Sequence, residues 1–185
     1  MSERTATIER RTKETQIELT WALDGRGQVE ARTGVGFLDH MLDHLGKHSV
    51  SDLTVRAAGD VQVDDHHTVE DVGICLGQAL GRALGDKAGI RRYGSAAVPM
   101  EEALAQAAID LSGRPALVFA ARFTGAKIGT FDTQLVEEFW RAFAREARLN
   151  LHVNVPYGTN DHHIAEAIFK AVAQALRQAK AIDPD

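Results

Sequence analysis

Two six-residue stretches with the same pattern, Asp65-His66-His67-Thr68-Val69-Glu70 and Asp161-His162-His163-Ile164-Ala165-Glu166, decide how this chain folds. Each stretch is followed by an apolar run with helical periodicity, which begins at Val72 in the first copy and at Ala167 in the second. Four of the eight histidines lie in these stretches. Imidazole and carboxylate groups at helical spacing are the donors that divalent transition metals bind. The sequence therefore predicts an internally repeated fold that carries a repeated metal site.

The composition is that of a globular protein of one compact domain or two small ones. The chain has 185 residues, of which 44% are hydrophobic and 25% charged, enough to bury a core. The net charge of -5 contains no long run of one sign, which argues against a nucleic-acid surface. Cys75, the only cysteine, is expected to be a buried hydrophobic residue in a reducing cytoplasm. Without an apolar leader or a long apolar run, no membrane contact is expected.

The predicted elements follow a similar order in the two halves. The first half reads as a strand–turn–strand hairpin (16–21, 24–27, 28–31), a helix (37–48), two strands (52–57 and 60–64) and a helix to about Leu84. The second half reads as a strand, a turn and a strand (106–111, 112–115, 116–119), a helix (134–147), a strand (149–155) and a last helix. The halves meet in a Gly/Arg-rich joint, 86–94. We therefore predict an α+β fold: one domain of two repeats, about 1–93 and 94–185, each a small sheet with two helices on one face.

The histidine stretches are expected to act as metal ligands from the first turn of a helix. If Asp65 or Asp161 caps its helix, the glutamate lies four and three residues after the two histidines and shares a helix face with either imidazole. Adjacent histidines point about 100° apart on a helix, so each pair is predicted to supply two different metals. The sites would then draw on both halves or on two subunits. A single His-His pair would suggest surface or capping groups, whereas its repetition at matched positions favours metal binding.

Other polar residues are candidates for the wall of the site. His40, His44 and His48 fall at i, i+4 steps on one face of a predicted helix, where we expect one ligand and assign His48 to a cap or surface role. Candidates for an anionic ligand are Arg92 in the joint, Arg114 in the Ser112–Pro115 turn, and Lys170 after the second stretch.

Four longer motifs resemble one known family. Residues 34–45, 59–72, 110–115 and 161–171 closely resemble imidazoleglycerol-phosphate dehydratase of histidine biosynthesis, and the resemblance runs from about Thr5 to Ala179. It implies a duplicated fold similar to the ribosomal protein S5 domain 2-like fold. It also implies a manganese-dependent hydro-lyase with two Mn²⁺ ions per active site. The assembly would be a homo-oligomer of 24 subunits with active sites between them.

The resemblance also implies residue roles. The metal ligands it places are His40, His66, His67, Glu70, His162, His163 and Glu166. Glu14 matches a glutamate near the substrate, and Arg92, Arg114 and Lys170 match positions that grip the substrate, chiefly its phosphate. His40 is then both a ligand and a substrate contact. With Glu14, the ligands Glu70 and Glu166 make up the predicted catalytic set.

Two departures from the family bear on the site. Many members carry a histidine where this chain has Glu138, so we expect Glu138 to replace it as an oxygen ligand, with His44 as the alternative. Members commonly end in a Ser/Lys-bearing tail that holds phosphate, whereas this sequence reads Asp183-Pro184-Asp185. We therefore expect either weaker phosphate binding or a natural chain that is longer than this sequence.

The implied reaction converts D-erythro-imidazole-glycerol phosphate to imidazole-acetol phosphate and water. No carbonyl flanks the carbon that loses its proton, so the imidazole must act as the electron sink. A metal-bound imidazolate would expel the hydroxyl through a diazafulvene-like intermediate. Glu14 is the predicted acid/base, in competition with a metal-bound water. The alternatives from the residues alone are a binuclear metallohydrolase and a non-catalytic metal-binding assembly; the second leaves Arg92, Arg114 and Lys170 without a ligand.

Overall fold

The computed structural model describes residues 4–183, so the predicted absence of a phosphate-holding tail at Pro184 and Asp185 lies outside the described residues. The elements in chain order are β1 (Thr5–Arg11), β2 (Thr15–Ala22), β3 (Val29–Arg32), α1 (Gly36–Ser49), β4 (Asp52–Gly59), α2 (His66–Leu84), β5 (Tyr93–Met100), β6 (Ala103–Asp110), β7 (Ala116–Ala120), β8 (Lys127–Ile128), β9 (Phe131–Asp132), α3 (Gln134–Ala147), β10 (Asn150–Tyr157) and α4 (Asp161–Ala179). No helix within 4–183 is long and apolar enough to cross a membrane.

The two halves have the same sheet topology, which confirms the predicted α+β duplication. The first sheet has the strand order β1-β2-β4-β3 and the second the order β5-β6-β10-β7. In each sheet the first three strands are antiparallel, and the fourth pairs in parallel because a helix, α1 or α3, crosses over between the two paired strands. The second half adds only the short β8–β9 hairpin.

The four helices form the layer between the two sheets. Helix α2 packs on β1 and β2 and against α3, while α4 packs on β5 and β6 and against α1. Each long helix therefore joins its own sheet to a helix of the other half. Gly73 and Gly77 permit the close approach of α2 to α3, because a Cβ added at Gly77 would lie 2.6 Å from the Phe143 carbonyl oxygen.

One hydrophobic core extends through both halves. It includes Phe143, whose ring packs against the rings of Trp21 and Trp140, and the Trp21 indole N–H donates to Ser51 Oγ at 2.7 Å. Cys75 is buried in the same core, as predicted, and burial raises the pKa of its thiol to about 12. The thiol is therefore protonated and unreactive at neutral pH.

A single lysine is buried where the two halves meet. Lys180, just after α4, is 5% exposed, and its ammonium donates to the backbone oxygens of Leu23 and Val50. Val50 ends α1 in a left-handed conformation with φ 51°. Arg4 donates to the Lys180 carbonyl at 2.6 Å and pairs with Asp24. Desolvation by burial lowers the pKa of Lys180 to about 8.

Two sequence predictions about strands were wrong. The strand at 28–31 was expected to pair with the strand at 16–21, but it forms β3, which pairs with β4. The reason is that the Asp52 carboxylate accepts hydrogen bonds from the Arg26 and Gln28 N–H groups, which holds the turn against the start of β4. The strand predicted at 60–64 is a turn, in which the Val63 N–H donates to the Asp60 carbonyl. The predicted strands at 106–111 and 116–119 are present as β6 and β7, with β10 between them in the sheet. Strands β1, β5, β8 and β9 were not predicted.

Candidate metal centre

A compact ligand cluster lies between α1 and α4. His40 on α1, and His162 and Glu166 one turn apart on α4, offer one ligand atom each within 4.8 Å of one another. Glu166 Oε2 lies 3.3 Å from His40 Nε2 and 3.2 Å from His162 Nε2. Two imidazoles and one carboxylate suit manganese, iron, cobalt or zinc. We call these three residues the α1–α4 cluster.

Glu166 is the buried centre of this cluster. Its carboxylate is 7% exposed and receives an ion pair from Lys170, whose Nζ lies 2.6 Å from Oε1. Burial by itself raises the pKa of Glu166, but the Lys170 hydrogen bond and the nearby His44 and His162 lower it to about 2. Glu166 is therefore ionised and ready to bind a cation over the whole physiological range.

The predicted histidine ridge of α1 is present. The ring centroids of His40 and His44 are 4.5 Å apart, and those of His44 and His48 are 5.7 Å apart. Burial lowers the pKa of His44 to about 4, against the opposing charge of Glu166, so His44 is neutral. Its Nε2 lies 3.2 Å from Glu166 Oε1 without hydrogen-bond alignment, and neither ring nitrogen has a hydrogen-bond partner within 4–183. His48 is not the helix cap: Val50 is.

A second, more open group of His and Glu residues lies between α3 and α2; within 4–183, only the α1–α4 cluster brings three ligand atoms within 4.8 Å of one another. His66 Nε2 is 3.9 Å from Glu70 Oε2, and both Glu138 and His66 line a cavity of about 240 Å³. Glu138 is the fifth residue of a 14-residue helix, as His40 is in α1. Glu138 therefore faces the first histidine stretch, whereas His44 faces the second. We call His66, Glu70 and Glu138 the α3–α2 cluster. Each cluster takes residues from both halves of the chain.

The second histidine of each repeated stretch, His67 or His163, points away from these clusters. His67 Nδ1 lies 2.9 Å from Asp60 Oδ2, and His163 Nδ1 lies 2.7 Å from Glu102 Oε2. The two rings of each His-His pair are steeply inclined, at 84° in the first pair and 80° in the second. The hydrogen bond to Asp60 raises the pKa of His67. The bond from His163 and those from the Asn160 and Thr159 N–H groups lower the pKa of Glu102 to about 2.

The helix caps differ from the prediction. Asn160 caps α4, since its side chain accepts from the His162 and His163 N–H groups, while Asp161 accepts from Thr124 and Gly125. Asp65 occupies the N-cap position of α2 without a capping hydrogen bond, and Asp64 accepts from the His66 N–H at 2.9 Å instead. Asn160 and Asp64 each lie one position before the predicted aspartate, so each histidine pair is still in the first turn of its helix.

The predicted basic residues do not converge within one chain. Arg92 forms an ion pair with Asp110 at 2.7 Å, and its guanidinium lies over the Tyr93 ring. Arg114 is exposed in its turn, while Lys170 is bound to Glu166. No contact within 4–183 joins Lys170 to either arginine. Glu14 is exposed between β1 and β2, and its charge contributes to the raised pKa of His67, so it lies on the α2 side of the molecule.

Known proteins match the chain along nearly all of its length. A family model for imidazoleglycerol-phosphate dehydratase matches residues 33–176. The chain is 62% identical to the imidazoleglycerol-phosphate dehydratase of Bacillus licheniformis, over 95% of this chain and 90% of that protein. It is 61% identical to the Bacillus subtilis protein of the same name, with the same coverage. The chain belongs to the imidazoleglycerol-phosphate dehydratase family.

Solved structures of this family share the fold described above. The imidazoleglycerol-phosphate dehydratase of Staphylococcus aureus superposes with a TM-score of 0.88 at 43% identity, over 96% of this chain and 99% of that one. The Pyrococcus furiosus protein, solved in complex with (S)-C348, gives a TM-score of 0.84 at 34% identity, over 96% and 95%. Members of the family are hydro-lyases that carry out a dehydration in histidine biosynthesis.

Two polar residues of this family member's site were missed from the sequence. Asp60 and Glu102 hold the outward-facing histidines, yet both lie outside the repeated stretches. Glu102 stands immediately before β6 just as Glu14 stands immediately before β2, but the strand predicted at 106–111 began too late to reveal this correspondence. Asp60 lies in the segment predicted as a strand, 60–64, so no partner was expected for its carboxylate.

Proposed function

We propose that this chain catalyses the metal-dependent dehydration of D-erythro-imidazole-glycerol phosphate to imidazole-acetol phosphate in L-histidine biosynthesis, in the cytoplasm. The observation that carries the proposal is the compact α1–α4 cluster, with a more open His/Glu group at the corresponding place between α3 and α2, in a chain of the dehydratase family. An imidazole ring has two nitrogens, and two pseudo-equivalent metal positions are suited to one nitrogen each.

The residues present fit two divalent metal ions, for which we propose Mn²⁺. The α1–α4 cluster supplies two imidazoles and the ionised Glu166, and the α3–α2 cluster supplies His66 with two carboxylates. Such nitrogen and oxygen sets admit manganese. Metal ions bound there would act as Lewis acids that make the substrate imidazole a better electron sink. His66 and His67 would serve different ions, as would His162 and His163.

Glu14 is the proposed acid/base. Its carboxylate makes no side-chain hydrogen bond within 4–183, and it is exposed on the α2 side of the molecule. The substrate imidazole would first lose its N–H proton and push out the hydroxyl, which takes up a proton and leaves as water. Glu14 would then accept the proton from the neighbouring carbon, and the electron pair of that C–H bond would move towards the ring to give an enol, which becomes the ketone. A positioned carboxylate contributes about 10²–10⁴ to the rate of such a step.

Arg92, Arg114 and Lys170 are the proposed phosphate contacts. Arg92 is held in place by Asp110, which fixes the direction of its guanidinium, and Arg114 is free to approach an anion. Lys170 already neutralises Glu166, so it would meet the substrate beside the α1–α4 cluster. Because these three residues do not converge within one chain, the phosphate site would need more than one subunit.

We further propose that the working particle is a homo-oligomer of 24 subunits with active sites at the interfaces. The side chains of His67 and His163 support this, since both are partly exposed and turned away from the clusters of their own chain. A neighbouring subunit could complete each site through them.

Turnover of the proposed substrate tests the function directly. Purified protein is freed of metal, reloaded with Mn²⁺, and given imidazoleglycerol phosphate, with imidazole-acetol phosphate and inorganic phosphate both measured. Ketone formation that depends on Mn²⁺, without release of phosphate, is expected. Phosphate release without the ketone would establish a hydrolase instead. The variant His40→Ala, which removes one ligand of the α1–α4 cluster, is expected to lose activity, whereas the exposed control His152→Ala should keep it.

A further inference from the structure

Each half carries a glutamate in the turn of its first hairpin. Glu14 immediately precedes β2, and Glu102 immediately precedes β6. The β1–β2 and β5–β6 hairpins are antiparallel and hold the same place in their sheets. The two glutamates therefore occupy corresponding positions, each immediately before the second strand of its sheet.

The two glutamates nevertheless have different partners. Glu102 Oε2 contacts His163 Nδ1 at 2.7 Å, and Oε1 accepts from the backbone N–H groups of Thr159 and Asn160 at 3.1 and 2.7 Å. Both carboxylate oxygens of Glu102 are thus in use. The Glu14 side chain makes no hydrogen bond within 4–183, although its backbone N–H donates to Thr12 Oγ1.

The loop before each histidine helix explains the difference. In the first half, the loop between β4 and α2 contains Asp60, whose Oδ2 contacts His67 Nδ1 at 2.9 Å. In the second half, the loop between β10 and α4 is the shorter segment 158–160, which contains no acidic residue. The outward-facing histidine of the second half is therefore held by the turn glutamate, and that of the first half by the loop aspartate.

A carboxylate fixes the tautomer of a neutral histidine. An ionised carboxylate can only accept a hydrogen bond, so the ring nitrogen that it contacts must carry the proton. Both contacts are to Nδ1, which leaves the Nε2 lone pair of each ring free and directed outward. A hydrogen bond of this kind also fixes the plane of the ring, which is how many metal-binding histidines are oriented.

We propose that Asp60 and Glu102 are positioning residues that hold His67 and His163 as Nδ1-protonated tautomers, each offering Nε2 to a metal ion. Because Asp60 makes the hydrogen bond to His67, Glu14 does not hold a histidine. Glu14, and not Glu102, is therefore available to move a proton. This inference rests on the proposed function, because it assigns the two histidines to metal ions and Glu14 to the reaction.

The tautomers can be observed directly in the full-length, metal-free protein. Solid-state NMR of chains with ¹⁵N-labelled histidine separates protonated from unprotonated ring nitrogens, and His163→Asn identifies the His163 signals. We expect His163 to carry its proton on Nδ1 in the natural chain and to shift toward the Nε2-protonated form in Glu102→Ala. The matched control is Glu101→Ala in the same turn, where the His163 signals should not move. An Nε2-protonated His163 in the natural chain would overturn the proposal.

Metal affinity gives the second readout. Free Mn²⁺, followed by electron paramagnetic resonance as the metal-free protein is titrated, should show a loss of about 10–100-fold in affinity for Glu102→Ala, the usual effect of removing such a partner. Glu101→Ala should stay within about threefold, and unchanged affinity in a folded Glu102→Ala protein would also refute the assignment. If Glu102→Ala does not fold, Asp60→Ala and the His67 signals decide the question in the same way. These measurements need no substrate, so correct tautomers in a protein without turnover would contradict only the proposed function.

Discussion

Replacing the buried Lys180 with methionine should change how the stability of this protein depends on pH. The folded-state pKa is lowered from 10.5 to about 8 because the ammonium is desolvated. Between these two pH values the folded chain has lost the proton and the unfolded chain has kept it, so stability rises with pH. At about 1.4 kcal/mol for each pH unit, the gain is about 3 kcal/mol. Lys180→Met should lose this gain, because methionine does not titrate.

At pH 7, Lys180→Met should change the free energy of unfolding by less than the amount by which the two proteins diverge between about pH 8 and 10.5. Methionine removes the cost of burying a charge, about 3 kcal/mol, but leaves the Leu23 and Val50 carbonyl oxygens without their donor, at about 1–3 kcal/mol for a buried polar group. These terms oppose each other. Thermal unfolding at equal protein concentration from pH 7 to 10.5 measures the difference, and about 3 kcal/mol corresponds to roughly 6–12 °C in Tm for a domain of this size.

The exposed Lys13→Met in the β1–β2 turn is the control, and its curve should run parallel to that of the natural chain. Parallel curves for Lys180→Met and the natural chain would refute the reasoning, since they would mean that Lys180 titrates alike in the folded and unfolded states.

Three further outcomes are expected. Glu14→Gln should keep its assembly and manganese content yet lose about 10²–10⁴ in turnover, as general acid–base groups do; a fully metallated variant with near-normal turnover would remove Glu14 from the catalytic set. Excess chelator should break the assembly into smaller oligomers, and added Mn²⁺ should restore it, because the proposed sites take their ligands from more than one subunit; an unchanged sedimentation profile would place the sites within single chains. Gly77→Ala should lower the free energy of unfolding by about 1–3 kcal/mol in urea, since the new methyl meets the Phe143 carbonyl, whereas Gly81→Ala, with its nearest neighbour 4.0 Å away, should be tolerated.

The sequence predicted the helices far better than the strands. The helix at 134–147 has the predicted bounds, and α1 and α2 agree within about a residue, because long amphipathic runs repeat their apolar residues over several turns. Strand pairing depends on contacts that local alternation does not encode. The exposed Val61 and Val63 alternate as a strand would, but no neighbouring strand covers them. Asp52 redirects the 24–27 turn through hydrogen bonds to a segment well separated from it in the chain.

The candidate site was predicted in its residue types and only partly in its geometry. The spacing of His162 and Glu166 on one helix indicated a shared face, and the structure places His40 beside them. Which helix would face which histidine stretch was not encoded locally, because the packing of α1 on α4 and of α3 on α2 is a property of the whole fold. Hydrogen bonds from Asp60 and Glu102 were missed for the same reason.

The crossing of helices between halves has an evolutionary consequence. Each ligand cluster takes one residue from one half and two from the other, so a single half could never have formed a complete cluster alone. A half-length ancestor would have needed to dimerise before it could hold metal, and its two clusters would have been identical by symmetry. Fusion into one gene removed that constraint. Differences such as Glu138 opposite His40, or Asp60 doing in one half what Glu102 does in the other, could arise only after the two copies were able to mutate separately.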